Sequence, residues 1–247
     1  MTHILDQTMH RPWALPEGPW VMAQSWHDLL FAHWPIDAAM VRPHIPAALE
    51  MDTFHGQAWI AVVPFRMAGV RLRWTPSLPW LSAFPELNVR TYVAAGGKPG
   101  VWFFSLDAGN PVAVAVARAW FHLPYFQARM KCQDTDGWIH YRSERTHAGA
   151  PCGVLEAKYR PVTDPFEPQR DTLEHFLTER YCLYAASRGR IYRGEIHHRP
   201  WQLQIGEAEF TRNTMAEAAG FGLSSRKPLL HFVWRQDMVA WAPQRIA

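Results

Sequence analysis

Polar and apolar side chains alternate without a break from position 86 to position 93. The apolar or methyl-bearing positions are Leu87, Val89, Thr91 and Val93, and the polar positions are Glu86, Asn88, Arg90 and Tyr92. Because successive side chains of a strand point to opposite faces, the pattern predicts a β-strand with a row of polar groups along one face. That row either faces solvent or lines a polar cavity. The next run, residues 101–107, carries bulky side chains on both faces, as is typical of a central strand, so we expect the polar row to face inward.

Further runs rich in β-branched and aromatic residues predict a protein built of roughly ten strands, most of them in antiparallel hairpins. Residues 49–72 are expected to form one hairpin, with its turn at 54–57. Pro64, in the second arm, implies either a sheet edge or a bulge at that position. A second hairpin is expected around the turn at residues 95–100, which is rich in glycine and proline.

Capping residues predict a few short helices between the strands. The expected helices span residues 37–41, 111–120, about 171–180 and 211–219, with caps at Asp37, Asn110, Asp171 and either Thr211 or Asn213. The second helix has the clearest start, because Asn110 at the cap and Pro111 at the first helical position form a paired signal.

Two more rows of polar side chains alternate along predicted strands. Tyr125, Gln127, Arg129 and Lys131 share one face of the first strand, and Glu156, Lys158 and Arg160 share one face of the second. The strand that carries Tyr125 and the strand that carries Glu86 flank the same predicted helix. We therefore expect these two rows to face one cavity.

The predicted elements indicate an α+β fold, in which a mainly antiparallel sheet closes into a barrel with short flanking helices. Three prolines in the first nineteen residues predict an irregular N-terminal arm at positions 1–19. No long linker, internal repeat or low-complexity tract follows, so residues 20–247 are expected to form a single domain.

Composition narrows the class of protein. The chain has 247 residues, of which 48% are hydrophobic and 19% charged, which excludes a disordered chain. The net charge of +3 is not concentrated in any basic run, so no nucleic-acid partner is expected. Three cysteines without paired spacing argue against a disulfide framework. A signal sequence and a long apolar segment are both missing from the sequence, so we expect a cytoplasmic protein with no membrane partner.

Histidines are the only residues that suggest a metal. His27 and His33, and the adjacent His197 and His198, are the candidates, but neighbouring residues on a strand point in opposite directions and no metal-binding spacing occurs. Glycine-rich nucleotide loops are also missing from the sequence. We expect neither a metal nor a cofactor.

Four stretches carry a resemblance to a known family. They are Leu30-Phe-Ala-His-Trp-Pro35, residues 78–92, Gly100-Val-Trp-Phe-Phe-Ser-Leu-Asp107 and Glu179-Arg180-Tyr181. Together they resemble the bacterial DUF2071, or YqjF-like, family over nearly the whole chain. More distantly, the resemblance implies the acetoacetate decarboxylase fold, a conical β-barrel with flanking helices and an internal ligand cavity.

The resemblance also bears on the chemistry. The decarboxylase uses a lysine, which follows a glycine-proline pair, to form a Schiff base with a β-keto acid. Pro124-Tyr125-Phe126 stands where that enzyme has proline followed by two lysines, and Tyr125 cannot form an imine. Glu86 falls where the decarboxylase has a pocket glutamate. With the two polar rows, this gives Glu86 and Tyr125 as candidate catalytic residues, and Arg90, Asn88, Gln127 and Arg129 as candidate substrate-binding residues.

Each candidate also has a purely structural interpretation. Glu86 and Arg90 would form a salt bridge inside the barrel, and Tyr125 would fill its interior. The charged cluster at Glu179-Arg180-Tyr181 would clamp a helix to a strand rather than take part in catalysis. The sequence leaves these alternatives open.

Two hypotheses for the function follow. In the first, the protein is an enzyme of the lyase or isomerase kind that acts on a carbonyl, keto-acid or aromatic compound, with Glu86 as acid and base and with Arg90 and Tyr125 holding the developing charge. In the second, it is a binding or sensing protein that kept the cavity and lost the chemistry, which accounts for the missing lysine. A purely structural protein would give the polar rows no role. The expected partner is a small-molecule ligand, and thirteen tryptophans leave a homodimer open.

Overall fold

A computed structural model of the chain describes residues 2–78, 81–223 and 226–247. Within these ranges thirteen strands belong to one sheet. The strands are β1 (Met22–Ile36), β2 (Glu50–Met51), β3 (Ala58–Leu72), β4 (Phe84–Ala95), β5 (Lys98–Ala108), β6 (Tyr125–Thr135), β7 (Trp138–Arg145), β8 (Val154–Pro161), β9 (Cys182–Ser187), β10 (Arg190–His198), β11 (Gln204–Asn213), β12 (Leu229–Ala240) and β13 (Gln244–Arg245). The helices are α1 (Thr2–Leu5), α2 (Ala38–Val41), α3 (Pro111–Trp120), α4 (Leu173–Thr178), α5 (Met215–Ala218) and a 3-10 turn at Arg42–His44. The predicted α+β class is confirmed.

The strand pairings close two rings that share a wall. The first ring runs through nine strands in the order β1, β3, β4, β5, β6, β7, β8, β11 and β12. The second runs through seven, in the order β1, β3, β4, β5, β9, β10 and β12. All of these pairings are antiparallel except those of β5 with β6 and with β9. Five strands, β12, β1, β3, β4 and β5, belong to both rings.

Strand β4 shows how the shared wall serves both rings. Leu87, Val89 and Val93 are buried in the main hydrophobic core, which fills the first ring together with residues such as Tyr159 and Phe232. Because side chains alternate along a strand, Glu86 and its companions on the opposite face point into the second ring. The predicted alternation is therefore confirmed, and three members of the polar row, Glu86, Asn88 and Arg90, face inward.

The expected hairpin over residues 49–72 is wrong in its pairing. The turn forms, with a bridge between Phe54 and Gln57, but β2 pairs with β4 instead of β3. Strand β3 covers the edge of β4 only as far as Thr91, so β2 occupies the edge that remains at Val93 and Ala94. Pro64 lies within the segment of β3 where its register against β1 shifts, at a bulge or irregularity, and not at a sheet edge, because β3 pairs with β1 on one side and β4 on the other.

Helix α3 begins at Pro111 as predicted, because the side chain of Asn110 accepts hydrogen bonds from the amides of Val112 and Ala113. Helix α2 is likewise capped by Asp37. The cap predicted for α4 is wrong. Thr172, rather than Asp171, accepts the bond from the first turn, and Asp171 takes a left-handed backbone conformation with a φ of 65°. The helix predicted from Thr211 begins only after β11 has ended at Asn213.

Candidate functional site

The second ring encloses a cavity of about 590 Å³, a volume within the range of small-molecule sites. All seven strands of this ring contribute to its lining, which is mostly apolar. Helix α3 covers one side through Ala113, Val116 and Trp120. Few polar groups face the interior, so the position of each one restricts the kind of ligand that fits.

Four of the six sequence-predicted site residues line this cavity. They are Glu86, Asn88 and Arg90 on β4, and Tyr125 at the start of β6. The Tyr125 hydroxyl donates a hydrogen bond of 2.8 Å to Oε2 of Glu86, and both residues are buried. Tyr92, which continues the polar row, lies outside the lining, where its hydroxyl donates to the carbonyl of Leu177.

The predicted placement of Gln127 and Arg129 in the cavity is wrong. Both residues are exposed, and Arg129 lies 3.6 Å from the carboxylate of Glu144. The reason is that β6 touches the shared wall only through Tyr125, Phe126 and Gln127, and then continues in the first ring alone. The interior of that ring is filled by the hydrophobic core, so a polar row on β6 can face only solvent. The row on β8 is partly exposed for the same reason.

Glu86 is a carboxyl group kept away from both water and cations. Its pKa is raised to about 8, chiefly because burial disfavours the charged form; the hydrogen bond from Tyr125 opposes this shift and the charge of Asp107 adds to it. The alternative of a buried salt bridge with Arg90 is not what the structure shows: among the described residues, the Glu86 carboxyl is bonded to the Tyr125 side chain and forms no ion pair with Arg90. The pKa of Tyr125 is raised well above its usual value by burial and by Glu86, so its hydroxyl remains a donor.

Asn88 and Arg90 each bring unused hydrogen-bonding capacity to the cavity. Oδ1 of Asn88 and Nε of Arg90 are buried and have no hydrogen-bond partner in the described structure. The Arg90 guanidinium donates to the carbonyl of Leu177 at 3.4 Å and lies over the ring of Phe31 at 5.1 Å. Buried polar groups are normally paired, so these two unpaired atoms make Asn88 and Arg90 candidates for contact with a ligand.

Sequence reasoning missed two residues that belong to this site. Asp107, next to the cavity, is held by two hydrogen bonds of 2.7 Å from Arg145, and its charge acts on Glu86. Arg180 lines the cavity directly. Asp107 lies near the C-terminal end of β5, a strand of mostly bulky residues. A single carboxylate at the end of such a central strand is the feature by which the sequence could have identified it. Arg180 was identified only as part of a charged cluster.

No lysine is among the residues that line the cavity, although all four lysines lie in the described part of the chain. Lys98 donates to Glu195 at 2.6 Å, and Lys158 pairs with Glu209 at 3.0 Å. Lys131 and Lys227 are exposed. No lysine amine is therefore positioned to attack a carbonyl compound bound in this cavity.

We therefore expect borohydride reduction in the presence of pyruvate or acetoacetate to trap no adduct on this protein. Intact-mass analysis after reduction is the measurement, and a Schiff-base decarboxylase under the same conditions is the positive control. A stable mass increase that maps to any lysine would contradict the assignment of Tyr125 and Glu86 as the reacting groups.

Histidine positions give no metal centre in the ranges that the structure covers, where no group of three or more His, Cys, Asp or Glu side chains is arranged to hold an ion. His33 is buried and bonded through Nε2 to the Tyr92 hydroxyl, and His197 is bonded to the carbonyl of Ile4. Across the same ranges, no helix combines the length and the apolar character needed to cross a membrane.

Comparisons with known proteins agree with this architecture. Residues 23–237 match the DUF2071 family model, which is described as an uncharacterized conserved protein. Uncharacterized protein YqjF from Bacillus subtilis (strain 168) is 47% identical over 228 residues, which cover 92% of this chain and 93% of that protein.

Two solved structures share the fold at low sequence identity. Acetoacetate decarboxylase from Legionella pneumophila is 13% identical with a TM-score of 0.62, covering all of this chain and 95% of the other. The enduracididine biosynthesis enzyme MppR, complexed with pyruvate, is 12% identical with a TM-score of 0.62, covering 96% and 93%. These two likenesses show an acetoacetate decarboxylase-like fold, and the family match and the relative show that the chain belongs to the DUF2071 family.

Proposed function

We propose that the protein binds a carbonyl compound in the second ring and moves a proton at the carbon next to the carbonyl, as lyases and isomerases do. The observation that carries this proposal is the hydrogen bond from Tyr125 to the buried carboxyl of Glu86, whose pKa is raised to about 8. A carboxyl with such a pKa is a stronger base than an exposed one when ionised, and it can also return the proton near neutral pH. Catalytic groups are commonly tuned in this way by burial.

The proposed step needs no other reactant. An oxygen of ionised Glu86 takes the proton, and the electron pair of the broken C–H bond forms the C=C bond of an enolate. The π electrons of the carbonyl move to its oxygen. The Tyr125 hydroxyl donates to the ionised Glu86 before the step; once Glu86 carries the proton, this hydroxyl turns and donates to the enolate oxygen instead. When the proton on Glu86 exchanges with solvent before it returns, the same carbon receives a solvent proton, whereas return of a proton to another carbon gives an isomer.

The fold neighbours support a carbonyl ligand. One solved structure of MppR contains pyruvate, and another contains the condensation product of pyruvate and imidazole 4-carboxaldehyde. Acetoacetate decarboxylase, by its name, acts on a β-keto acid. In this chain the position that the resemblance aligns with the decarboxylase lysine is Tyr125, so we propose proton transfer in place of Schiff-base chemistry.

Solvent exchange tests the proposal directly. The protein is incubated in D2O with a panel of ketones and of short, long and aromatic oxo acids, and deuterium at the carbon next to the carbonyl is followed by NMR. The expected result is exchange faster than the buffer rate for at least one class. Saturable binding of a carbonyl compound without any exchange would overturn the catalytic proposal and favour the binding or sensing hypothesis.

Exposed residues of β6 provide matched controls for the same assay. Gln127→Ala and Arg129→Gln change side chains that face solvent, so we expect exchange rates within about twofold of the unmodified protein. Rates are measured at one substrate concentration and one pH, together with thermal melting to confirm folding. A large loss of exchange in either variant would show that these side chains reach the ligand after all.

A further inference from the structure

A second arginine faces the cavity next to Arg90. Arg180 is only 6% exposed and lines the same cavity. Its Nη1 pairs with Asp52 at 2.5 Å and its Nε donates to the carbonyl of Phe176 at 2.6 Å, but its Nη2 is buried without a partner in the described residues. The structural clamp suggested by the sequence therefore uses two of the three guanidinium nitrogens and leaves the third unused.

Both guanidinium groups lie at the same end of the cavity. The central carbon of Arg180 is 4.9 Å from the centre of the Tyr92 ring, and that of Arg90 is 5.9 Å from the same centre. Arg90 donates to the carbonyl of Leu177, the neighbour of the carbonyl that binds Arg180. Among the described residues, one nitrogen of each group, Nε of Arg90 and Nη2 of Arg180, is buried without a hydrogen-bond partner.

The charges at this end are not balanced. Asp52 neutralises Arg180, whereas Arg90 contacts a carbonyl and two aromatic rings and forms no ion pair with a carboxylate of the described residues. A half-buried cation beside an apolar cavity is stabilised by an anion that binds there, and the planar guanidinium matches a carboxylate in particular. One uncompensated positive charge corresponds to a ligand with one negative charge.

We infer that this end of the cavity binds the carboxylate of a monocarboxylic acid through Arg90 and Arg180, and that the ligand carries a long or aromatic apolar body. The inference rests on the proposed function only in sharing its cavity, because it concerns equilibrium binding rather than reaction.

The length of the ligand follows from the position of Glu86. Glu86 and Arg90 are four residues apart on β4, which is about 13 Å at ~3.3 Å per residue, and the contacts of Arg90 direct its guanidinium further away, toward Tyr92 and Leu177. A ligand that spans the cavity from Arg90 to Glu86 must therefore be long, and the mostly apolar lining requires an apolar body behind its carboxylate.

The volume of the cavity leads to the same class of ligand. At ~30 Å³ for each water-sized group, about 590 Å³ holds roughly twenty non-hydrogen atoms, so an acid the size of pyruvate would fill less than about a third of it.

Apolar side chains also surround the opening. Leu72, Leu78, Val116 and Trp120 line the cavity and are each more than a third exposed, which provides an apolar path of entry.

Unreactive acids test the inference without any chemistry. Calorimetric titration with butanoate, octanoate and dodecanoate is compared with titration of the matching primary alcohols. Each buried methylene is expected to tighten binding about three- to fourfold, so octanoate should bind about a hundredfold more tightly than butanoate. Octanoate should also bind at least about tenfold more tightly than octanol. Equal affinity for butanoate and octanoate, or for octanoate and octanol, would overturn the inference.

Variants assign the carboxylate to the two arginines. Arg90→Gln and Arg180→Gln should each weaken octanoate at least about tenfold and change octanol less than about threefold, whereas the exposed Arg129→Gln should change neither. Retained octanol binding shows that each variant is folded. If Arg180→Gln does not fold because Asp52 is left unpaired, Arg180→Lys keeps the charge but loses the planar fork, and a loss of octanoate affinity is again expected. Unchanged octanoate affinity in folded variants of Arg180 would remove it from the site.

This test separates the two proposals. Octanoate has no ketone, so its binding is measured whether or not the protein exchanges protons on carbonyl compounds. Tight octanoate binding without exchange on any carbonyl compound would retain the carboxylate site and reject the catalytic step. Exchange on small neutral ketones without octanoate binding would retain the catalytic step and reject the carboxylate site.

Discussion

The exchange rate on a carbonyl ligand is expected to rise about tenfold per pH unit up to pH about 8 and to level off above it. Only the ionised form of Glu86 can remove a proton, and with a pKa of about 8 that form is a minority of about one tenth near pH 7. The measurement is the initial rate of deuterium incorporation between about pH 6 and pH 9.5, with the buffer rate subtracted. A rate that falls as the pH rises would mean that Glu86 acts as an acid, contrary to the proposed step.

Two variants test whether this pH dependence of the exchange rate arises from Glu86 and Tyr125. Glu86→Gln removes the base and should lower the rate by about a hundredfold to ten-thousandfold, with no remaining inflection near pH 8. Tyr125→Phe removes the hydrogen bond that holds the pKa of Glu86 down, so the inflection should move to higher pH while the rate falls. Glu209→Gln, at an exposed carboxylate, should behave as the unmodified protein. An inflection that persists in Glu86→Gln would assign the titration to another group.

Local patterns predicted much of the fold. The alternation at residues 86–93 gave β4 with the correct inward face, and Asn110 with Pro111 gave the start of α3. These features depend on the chain within a few residues of each position. The pairing of β2 cannot be predicted from nearby residues, because it depends on where β3 stops along β4, which is a property of the assembled sheet.

The errors at Gln127 and Arg129 have a related physical cause. Alternation shows which side chains share a face, but it does not show what lies on that face. Residue 125 faces the cavity because β6 starts against β5, and residues further along face solvent because β6 then leaves the shared wall. The sequence contains no local signal for two rings that share five strands, and the cavity is a result of that topology.

Arg180 was missed for a different reason. Its neighbours in sequence, Glu179 and Tyr181, favoured the interpretation as a charged junction, and the structure does show the clamp to Asp52. The unused nitrogen becomes visible only when the partners of each guanidinium nitrogen are known. Sequence patterns identify residue types, whereas an unpaired atom can be identified only from the three-dimensional contacts of its residue.

Replacing Glu86 by glutamine is expected to stabilise the folded protein at alkaline pH by up to roughly 5 kcal/mol. The carboxyl of Glu86 has a pKa of about 8 in the folded state and 4.5 as its ordinary value, so the folded protein binds the extra proton across that window. The contribution of this group is fully favourable below pH 4.5, is lost progressively as the pH rises, and is constant again above pH 8. Glutamine keeps the size and a hydrogen-bonding partner for Tyr125 without a charge to bury.

The stability difference between Glu86→Gln and the unmodified protein should therefore be small near pH 5 and should grow by about 1.4 kcal/mol per pH unit toward pH 8. Urea unfolding of both proteins at several pH values measures it, and the difference cancels the titration of every other group. Glu209→Gln is the matched control, because an exposed carboxylate has no burial penalty to relieve and should show no such slope. If the Glu86→Gln difference were the same at all pH values, the carboxyl would have its ordinary pKa, and both the pH profile and the assignment of Glu86 as the base would lose their physical basis.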